Sequence, residues 1–302
     1  MNRIIVYSSD LAGNLSQYAK LFKFAADNKA DSVIIGGDLA PIEGKGDVKQ
    51  FQRDFLEKAL PDMIREFKPD LSAKIFLMMG NDDCSSNLDV LQNNDPELFN
   101  YIHGARHQLT PDFDVYGYSF VPITPFQLKD WEKFDTKPSV DSPKKGLLGK
   151  LGAKSKSYSP NARLEGLIST PTGFTKSKFD PENIQTSIED DLSQPEATQN
   201  ASKTLYVMHT PPYDTVLDML NPFAGGGPHI GSKAVRTFIE KNQPYMTLHG
   251  HIHETVDFSR FFKQNIGATL SATAGNDQNN PYLQLVTFDL YDVPATIKRL
   301  KL

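Results

Sequence analysis

Apolar residues along the first eighty positions alternate between two periodicities. RIIVYSS (3–9), SVIIGGD (32–38) and KIFLMMGND (74–82) carry short, nearly continuous apolar runs and read as buried strands. Between the first two, Leu15, Tyr18, Ala19, Phe22, Ala25 and Ala26 recur at helical spacing behind Asn14, a predicted N-cap. Between the second and third, Phe51, Phe55, Leu56, Ala59, Leu60, Met63, Ile64 and Phe67 form a second helical stripe. A strand, helix, strand, helix, strand order predicts a parallel sheet covered by helices.

Beyond residue 82 the pattern loosens. DVYGYSFVP (114–122) predicts strand, whereas 136–203 reads as an extended excursion that would cap a site. One helix is expected there, with Asp180 as N-cap, Pro181 at its first position, Ile184, Ile188 and Leu192 at helical spacing, and Pro195 as its stop. Lys144, Lys145, Lys150, Lys154 and Lys156, a run without an acid, read as a solvated loop in preference to a phosphate-binding arm. Order returns with the strand TLYVMH (204–209) and a helix begun by Ser232 that turns Ala234, Val235, Phe238 and Ile239 inward. The strand YMTLHGHIH (245–253) comes after it. IGATLSATAG (266–275), YLQLVTFDL (282–290) and ATIKRLKL (295–302) then read as consecutive strands forming an antiparallel sheet edge.

A length of 302 residues fits one large α/β domain spanning 1–302 with an insertion. The net charge of −5 has the wrong sign for binding nucleic acid through the overall field. Cys84, the single cysteine, excludes an intramolecular disulfide, and the opening MNRIIVYSSD has too short an apolar stretch for a signal peptide. No run reaches transmembrane length, so the expectation is a protein of the reducing cytoplasm.

Chemistry collects where the predicted strands stop. The first ends in Asp10, the second in Gly37-Asp38, the third in Gly80-Asn81-Asp82-Asp83, the fourth in His209 and the fifth in Gly250-His251-Ile252-His253. Ligands of open α/β sheets sit beyond the carboxyl ends of the strands, so these residues are expected to meet in space. Carboxylates, an amide oxygen and imidazoles form a mixed oxygen and nitrogen set suited to Mn, Fe, Zn, Co or Ni.

In order and in kind, SDLAGN (9–14), GGD (36–38), GNDD (80–83), MHTPP (208–212) and GHIH (250–253) resemble the five motif stations of the calcineurin-like metallophosphoesterases. That resemblance spans residue 3 to about 275. It implies a four-layer α/β/β/α sandwich of two mixed β-sheets flanked by helices, with two divalent metal ions. By analogy Asp10, Asp38 and His253 hold the first ion, and Asp38, Asn81, His209 and His251 the second. His249 has no ligand role in the family pattern and reads as a strand-end neighbour, placed to support a ligand from behind. The implied activity is hydrolysis of a small phosphate diester or monoester by a metal-activated hydroxide attacking phosphorus, with no membrane partner. Asn81 suits such a site because its oxygen ligates while its N–H₂ donates to a phosphoryl oxygen.

Two positions depart from the family pattern. Ala12 stands where a ligating histidine is usual, which predicts weaker occupancy of the first site and a tilt there towards Mn or Mg. Asp82 stands where many members carry the histidine that helps protonate the leaving group. Beside two cations its charged form is favoured, making it a poor acid and favouring substrates with good leaving groups. His229, ahead of a predicted helix N-terminus, is a candidate alternative proton donor, with His103 and His107 as further candidates; each reads first as an ordinary loop histidine, and Cys84 as a packed side chain. The competing reading is a degenerate relative that kept the fold as a binding module, which Ala12 and Asp82 favour. Retention of six costly polar ligands favours the enzyme.

Overall fold

In the computed structural model the described residues are 2–42, 47–137, 161–221 and 229–302. Two six-stranded sheets lie face to face. The first has the spatial order β16 (Lys298–Lys301), β15 (Gln284–Asp289), β1 (Ile4–Ser8), β2 (Ser32–Gly36), β3 (Lys74–Met78) and β4 (Asn100–Tyr101). The second runs β13 (Lys263–Ile266), β14 (Thr269–Thr273), β12 (Met246–His249), β11 (Thr204–Met208), β6 (Asp114–Tyr118) and β5 (Arg106–Gln108). β1 to β4 are mutually parallel, as are β14, β12, β11 and β6, while the flanking strands pair antiparallel, so both sheets are mixed.

The period-2 alternation of each strand builds the layers. Val6, Val33, Ile35, Ile75 and Leu77 point outward onto Leu21, Phe22, Leu56, Leu60 and Ile64 of the covering helices. The intervening Ile5, Tyr7, Ile34, Phe76 and Met78 point inward, against Leu205, Val207, Met246 and Leu248 of the other sheet. Tyr206 and Met208 face the outer helix Lys233–Asn242 through Ala234, Val235, Phe238 and Ile239. The result is the expected helix, sheet, sheet, helix sandwich.

Local signals were mostly obeyed. Asn14 caps the helix Leu15–Asp27, its side chain accepting from Gln17 N at 3.1 Å. Leu15 is half exposed, so the stripe starts one turn later than expected. The second stripe becomes two α-helical pieces, Val48–Asp54 and Leu60–Phe67, joined by a π-turn over Phe55–Ala59. Pro61 explains that turn: it lacks the N–H that Glu57 would receive, and its ring would crowd that carbonyl in a tight α-turn.

The excursion differs from expectation. Residues 138–160, including the lysine run, lie outside the described residues. After them comes a hairpin, β9 (Glu165–Thr170) with β10 (Gly173–Lys178), where no strands were expected. Two short paired segments, β7 (Val121–Pro122) and β8 (Glu132–Lys133), lie ahead of it. The expected helix from Asp180 is absent: Asp180 closes a turn by accepting from Glu182 N and Asn183 N. The helix begins only at Ile188, where Ser187 and Asp190 form a capping box that a single Asp-Pro start cannot match. The C-terminal strands divide between the sheets, β13 and β14 at one edge and β15 and β16 at the other. No helix among the described residues is long and apolar enough to cross a membrane.

Candidate metal centre

Loops from five parallel strands are stitched together above the sheets. Asp10 N donates to Gly37 O at 3.0 Å, Ala12 N to Asp38 O at 2.8 Å and Gly13 N to Leu39 O at 2.8 Å, extending the contact between β1 and β2 into their loops. Asp82 N donates to Asp38 Oδ1 at 2.9 Å, Gly250 N to His209 O at 3.0 Å, and His251 N to Asp10 Oδ1 at 3.0 Å.

The backbone is unusual where the candidate ligands sit. Asp10, Asp38 and His251 all have left-handed backbones, with φ of 57°, 51° and 67°, as does Ala12 at 39°. Each such residue costs roughly 1–3 kcal/mol, which the interlocked loops must offset. The glycines beside them are there for space. A Cβ on Gly80 would run into Asp38 Oδ1, and one on Gly37 would lie 2.5 Å from His209 Nδ1. On Gly250 it would meet Asp10 Oδ2 at 2.7 Å.

These constraints bring together Asp10, Asp38, Asn81, His209, His251 and His253. One ligand atom each from Asp10, Asp38 and His253 falls within 4.8 Å of the others. His209 Nε2 lies 3.0 Å from Asn81 Oδ1 and 3.3 Å from Asp38 Oδ2. The His251 ring centroid is 5.4 Å from that of His209. Asp38 therefore belongs to both groupings. Among the described residues the ion-pair partners of Asp10 and Asp38 are histidines, so no lysine or arginine neutralises these buried carboxylates. The donor set fits divalent cations, because carboxylate, amide and imidazole donor atoms lie close together with no lysine or arginine among them.

Electrostatics follow from that crowding. Burial alone would keep His209 neutral, but the charge and hydrogen bond of Asp38, with Asp10 behind it, raise it to about 10. His253 resists burial in the same way, Asp10 raising it to about 9. Burial and the His209 charge push His251 down to about 3. Burial works against ionised Asp10, yet His253, His209 and the Ser9 hydroxyl hold it at about 2. Asp82 goes the other way, burial and the charges of Asp38 and Asp83 raising it to about 8 before any cation is considered.

Asp82 also has a mechanical role: its Oδ1 accepts from Asn81 Nδ2 at 2.8 Å, turning the Asn81 oxygen towards His209. Asp83, given no role from sequence, is the clamp of the site. Its fully buried carboxylate accepts from Leu39 N, Ala40 N and Gly80 N at 2.9–3.1 Å, locking the Asp38 loop to the GND turn. The second acid of GNDD was the available signal. Asn276 was also missed; its Nδ2 donates to Ser9 O and Asp10 O, and nothing in its local sequence marks it.

His229 stands apart from the six. Its Nδ1 is 2.8 Å from Asp218 Oδ1 and its Nε2 3.6 Å from Asp214 Oδ1. The helix N-terminus behind it offers no phosphate cradle: Lys233 N and Ala234 N donate to the Asp135 carboxylate and Val235 N to Ser232 Oγ. His103 is half-buried, its ring packed on Trp131, Phe120 and Tyr118 and its Nδ1 accepting from Ser119 N. His107 bonds Tyr101 O. Cys84 is buried, its thiol pushed up to about 12 mainly by that burial.

Residues 4–255 match the family model described as calcineurin-like phosphoesterase. No curated protein sequence matches the chain. One solved structure superposes with a TM-score of 0.61 at 14% identity, covering 100% of this chain and 99% of its own. A second, TT1561 of Thermus thermophilus, superposes at 0.55 and 14%, covering 99% of each. A dimetal phosphatase from Danio rerio reaches 0.46 at 12%, over 96% of this chain and 93% of its own.

Proposed function

Because the chain belongs to the calcineurin-like phosphoesterase family and so to the metal-dependent phosphoesterases, we propose that it hydrolyses small phosphodiesters at a two-cation centre. Asp10, Asp38 and His253 would hold one ion, and Asp38, Asn81, His209 and His251 the other. Divalent cations there supply Lewis acidity towards the phosphoryl oxygens and a nucleophile from water near neutral pH.

The chain's own residues do the positioning. Asp38 is the shared carboxylate, fixed by Asp82 N on one oxygen and facing His209 with the other. His209 directs Nε2 into the centre because its Nδ1–H is committed to Gly36 O at 2.8 Å. Asn81 gives one amide N–H to Asp82 and keeps a second for a phosphoryl oxygen of the substrate. Asp82 is then a positioning residue, not a proton donor: it accepts from Asn81, and neighbouring cations favour its ionised form. The leaving group must depart with little protonation, which favours esters of acidic alcohols. His229 takes no part in this reading, its ring being engaged by Asp218 and Asp214.

The observation that carries the proposal is the convergence of acceptor atoms from Asp38, Asn81 and His209 on shared space beside Asp10 and His253. The test is elemental analysis of the purified protein coupled to bis(4-nitrophenyl) phosphate hydrolysis after loading with Mn, Ni, Zn or Mg. Between one and two metals per chain with metal-dependent turnover is the expected result. Ala12 and Asp82 favour a second reading, a binding module on a retained fold. Absence of both metal and turnover under every loading condition would select it.

A further inference from the structure

Ala12 removes one nitrogen from the first cation site, leaving Asp10, Asp38 and His253. The loop after β14 lies against the same turn. Asn276 Nδ2 donates to Ser9 O and Asp10 O, each at 3.2 Å, just before position 12. Just after it, Asn14 Nδ2 donates to Gln278 O at 2.8 Å, and Gln17 Nε2 to Asp277 O at 2.9 Å. The loop is thus fastened on both sides of the Ala12 turn. It also borders His253, on which the Asp277 charge acts, and whose carbonyl lies 3.4 Å from where a Cβ on Gly275 would be.

Within this loop the Gln278 side-chain oxygen is buried and has no hydrogen-bond partner among the described residues. An unsatisfied buried acceptor costs roughly 1–3 kcal/mol, and native structures rarely keep one without a water, an ion or a function to complete it. Asp277 is less available, since its Oδ1 accepts from Asn279 N at 2.8 Å and Asn279 Nδ2 at 3.0 Å in a local turn.

We propose that the amide oxygen of Gln278 is a ligand of the first cation site, standing in for the imidazole that position 12 does not supply. This rests on the two-cation reading of the centre. Replacing an imidazole by an amide oxygen makes the site harder, leaving His253 as its nitrogen ligand, and shifts its preference towards Mn²⁺ and Mg²⁺ over Zn²⁺.

Calorimetric titration of the chelator-treated full-length protein with MnCl₂ tests this, with thermal unfolding as a check on folding. Wild type should bind two ions, one tighter than the other. Gln278→Ala should weaken the looser class at least tenfold and leave the tighter one unchanged, and adding Ala12→His should restore it. Gln278→Glu, which keeps the oxygen and the size, should tighten the same class; it is the deciding variant if the alanine protein does not fold. Wild-type binding in both classes with unaltered isotherms for the Gln278 variants overturns the proposal alone. A wild type that binds no divalent cation overturns it together with the two-cation reading.

Discussion

The Nε2 atom of His209 lies 3.0 Å from Oδ1 of Asn81, although the ring already uses Nδ1 to bond Gly36 O. Two acceptors at that distance need a proton or a cation between them. In the cation-free protein a proton serves, and the neighbouring Asp38, with Asp10 behind it, holds that proton by raising His209 to about 10, while Asp10 raises His253 to about 9. Cations must displace these protons, so affinity should rise with pH, by about tenfold per unit for each proton released, and level off only above about pH 9. Calorimetry in two buffers of different ionisation enthalpy counts the protons. A dissociation constant flat from pH 6 to 9 would contradict the assignment.

His249 is expected to act through His209. Its ring sits 3.0 Å from both Met208 O and Thr210 O, the carbonyls on either side of His209, while Nε2 pairs with Thr247 Oγ1 at 2.8 Å. A proton on Nδ1 can donate to those carbonyls while Nε2 accepts from the threonine. Partners one layer behind a ligand are typically worth about 10–100-fold in metal affinity. His249→Gln should therefore weaken the ion held by His209 about tenfold and spare the one held by Asp10 and His253. Equal weakening of both, or of neither, would show that the ring only fills space.

These two histidines illustrate what the sequence made legible. His209, His251 and His253 were identifiable because strand periodicity predicts where strands stop, and chemistry collects beyond those ends. His249 could be read as a neighbour behind the ligands, but not its partners, which are backbone carbonyls about forty residues away. The same nonlocality hid the division of the C-terminal strands between the sheets: Gln284–Asp289 pairs with the first strand of the chain. Local signals failed differently. Asp180-Pro181 has the form of a helix start, but Asp180 spends its acceptors on a turn while Ser187 and Asp190 satisfy each other's backbone. Asp83 could be read as a letter of GNDD, but the N–H groups it collects come from another loop.

His103 predicts acid sensitivity unconnected with metal. Burial, and then Lys133, lower it to about 4. Folding therefore favours the neutral ring. Its stabilising contribution is complete above pH 6.5 and is lost as pH falls from there towards 4, on the order of 3 kcal/mol in all. His103→Phe should be less stable than wild type at pH 7.5, because Ser119 N loses its acceptor, yet should lose less stability between pH 6.5 and 4. Parallel stability curves for the two proteins in urea across that window would exclude His103 as the titrating group.

Asp83→Ala tests whether the centre is built by its ligands or by the clamp beneath them. Asp83 is not a candidate ligand and its carboxylate bonds none of them; it gathers Leu39 N, Ala40 N and Gly80 N from two loops. Removing it strands three buried donors at roughly 1–3 kcal/mol each. It also frees the turn that keeps Asp38 in its left-handed conformation, φ 51°, a strained state that Asp38 would leave without that support. The expected outcome is a marked fall in melting temperature together with weakening of both cations, since Asp38 belongs to both groupings. Asp83→Asn keeps one acceptor oxygen and should fall between. If Asp83→Ala melted well below wild type but bound both ions with unchanged affinity, the cations themselves would be holding Asp38 in place, and the left-handed turn would be a consequence of the centre rather than its foundation.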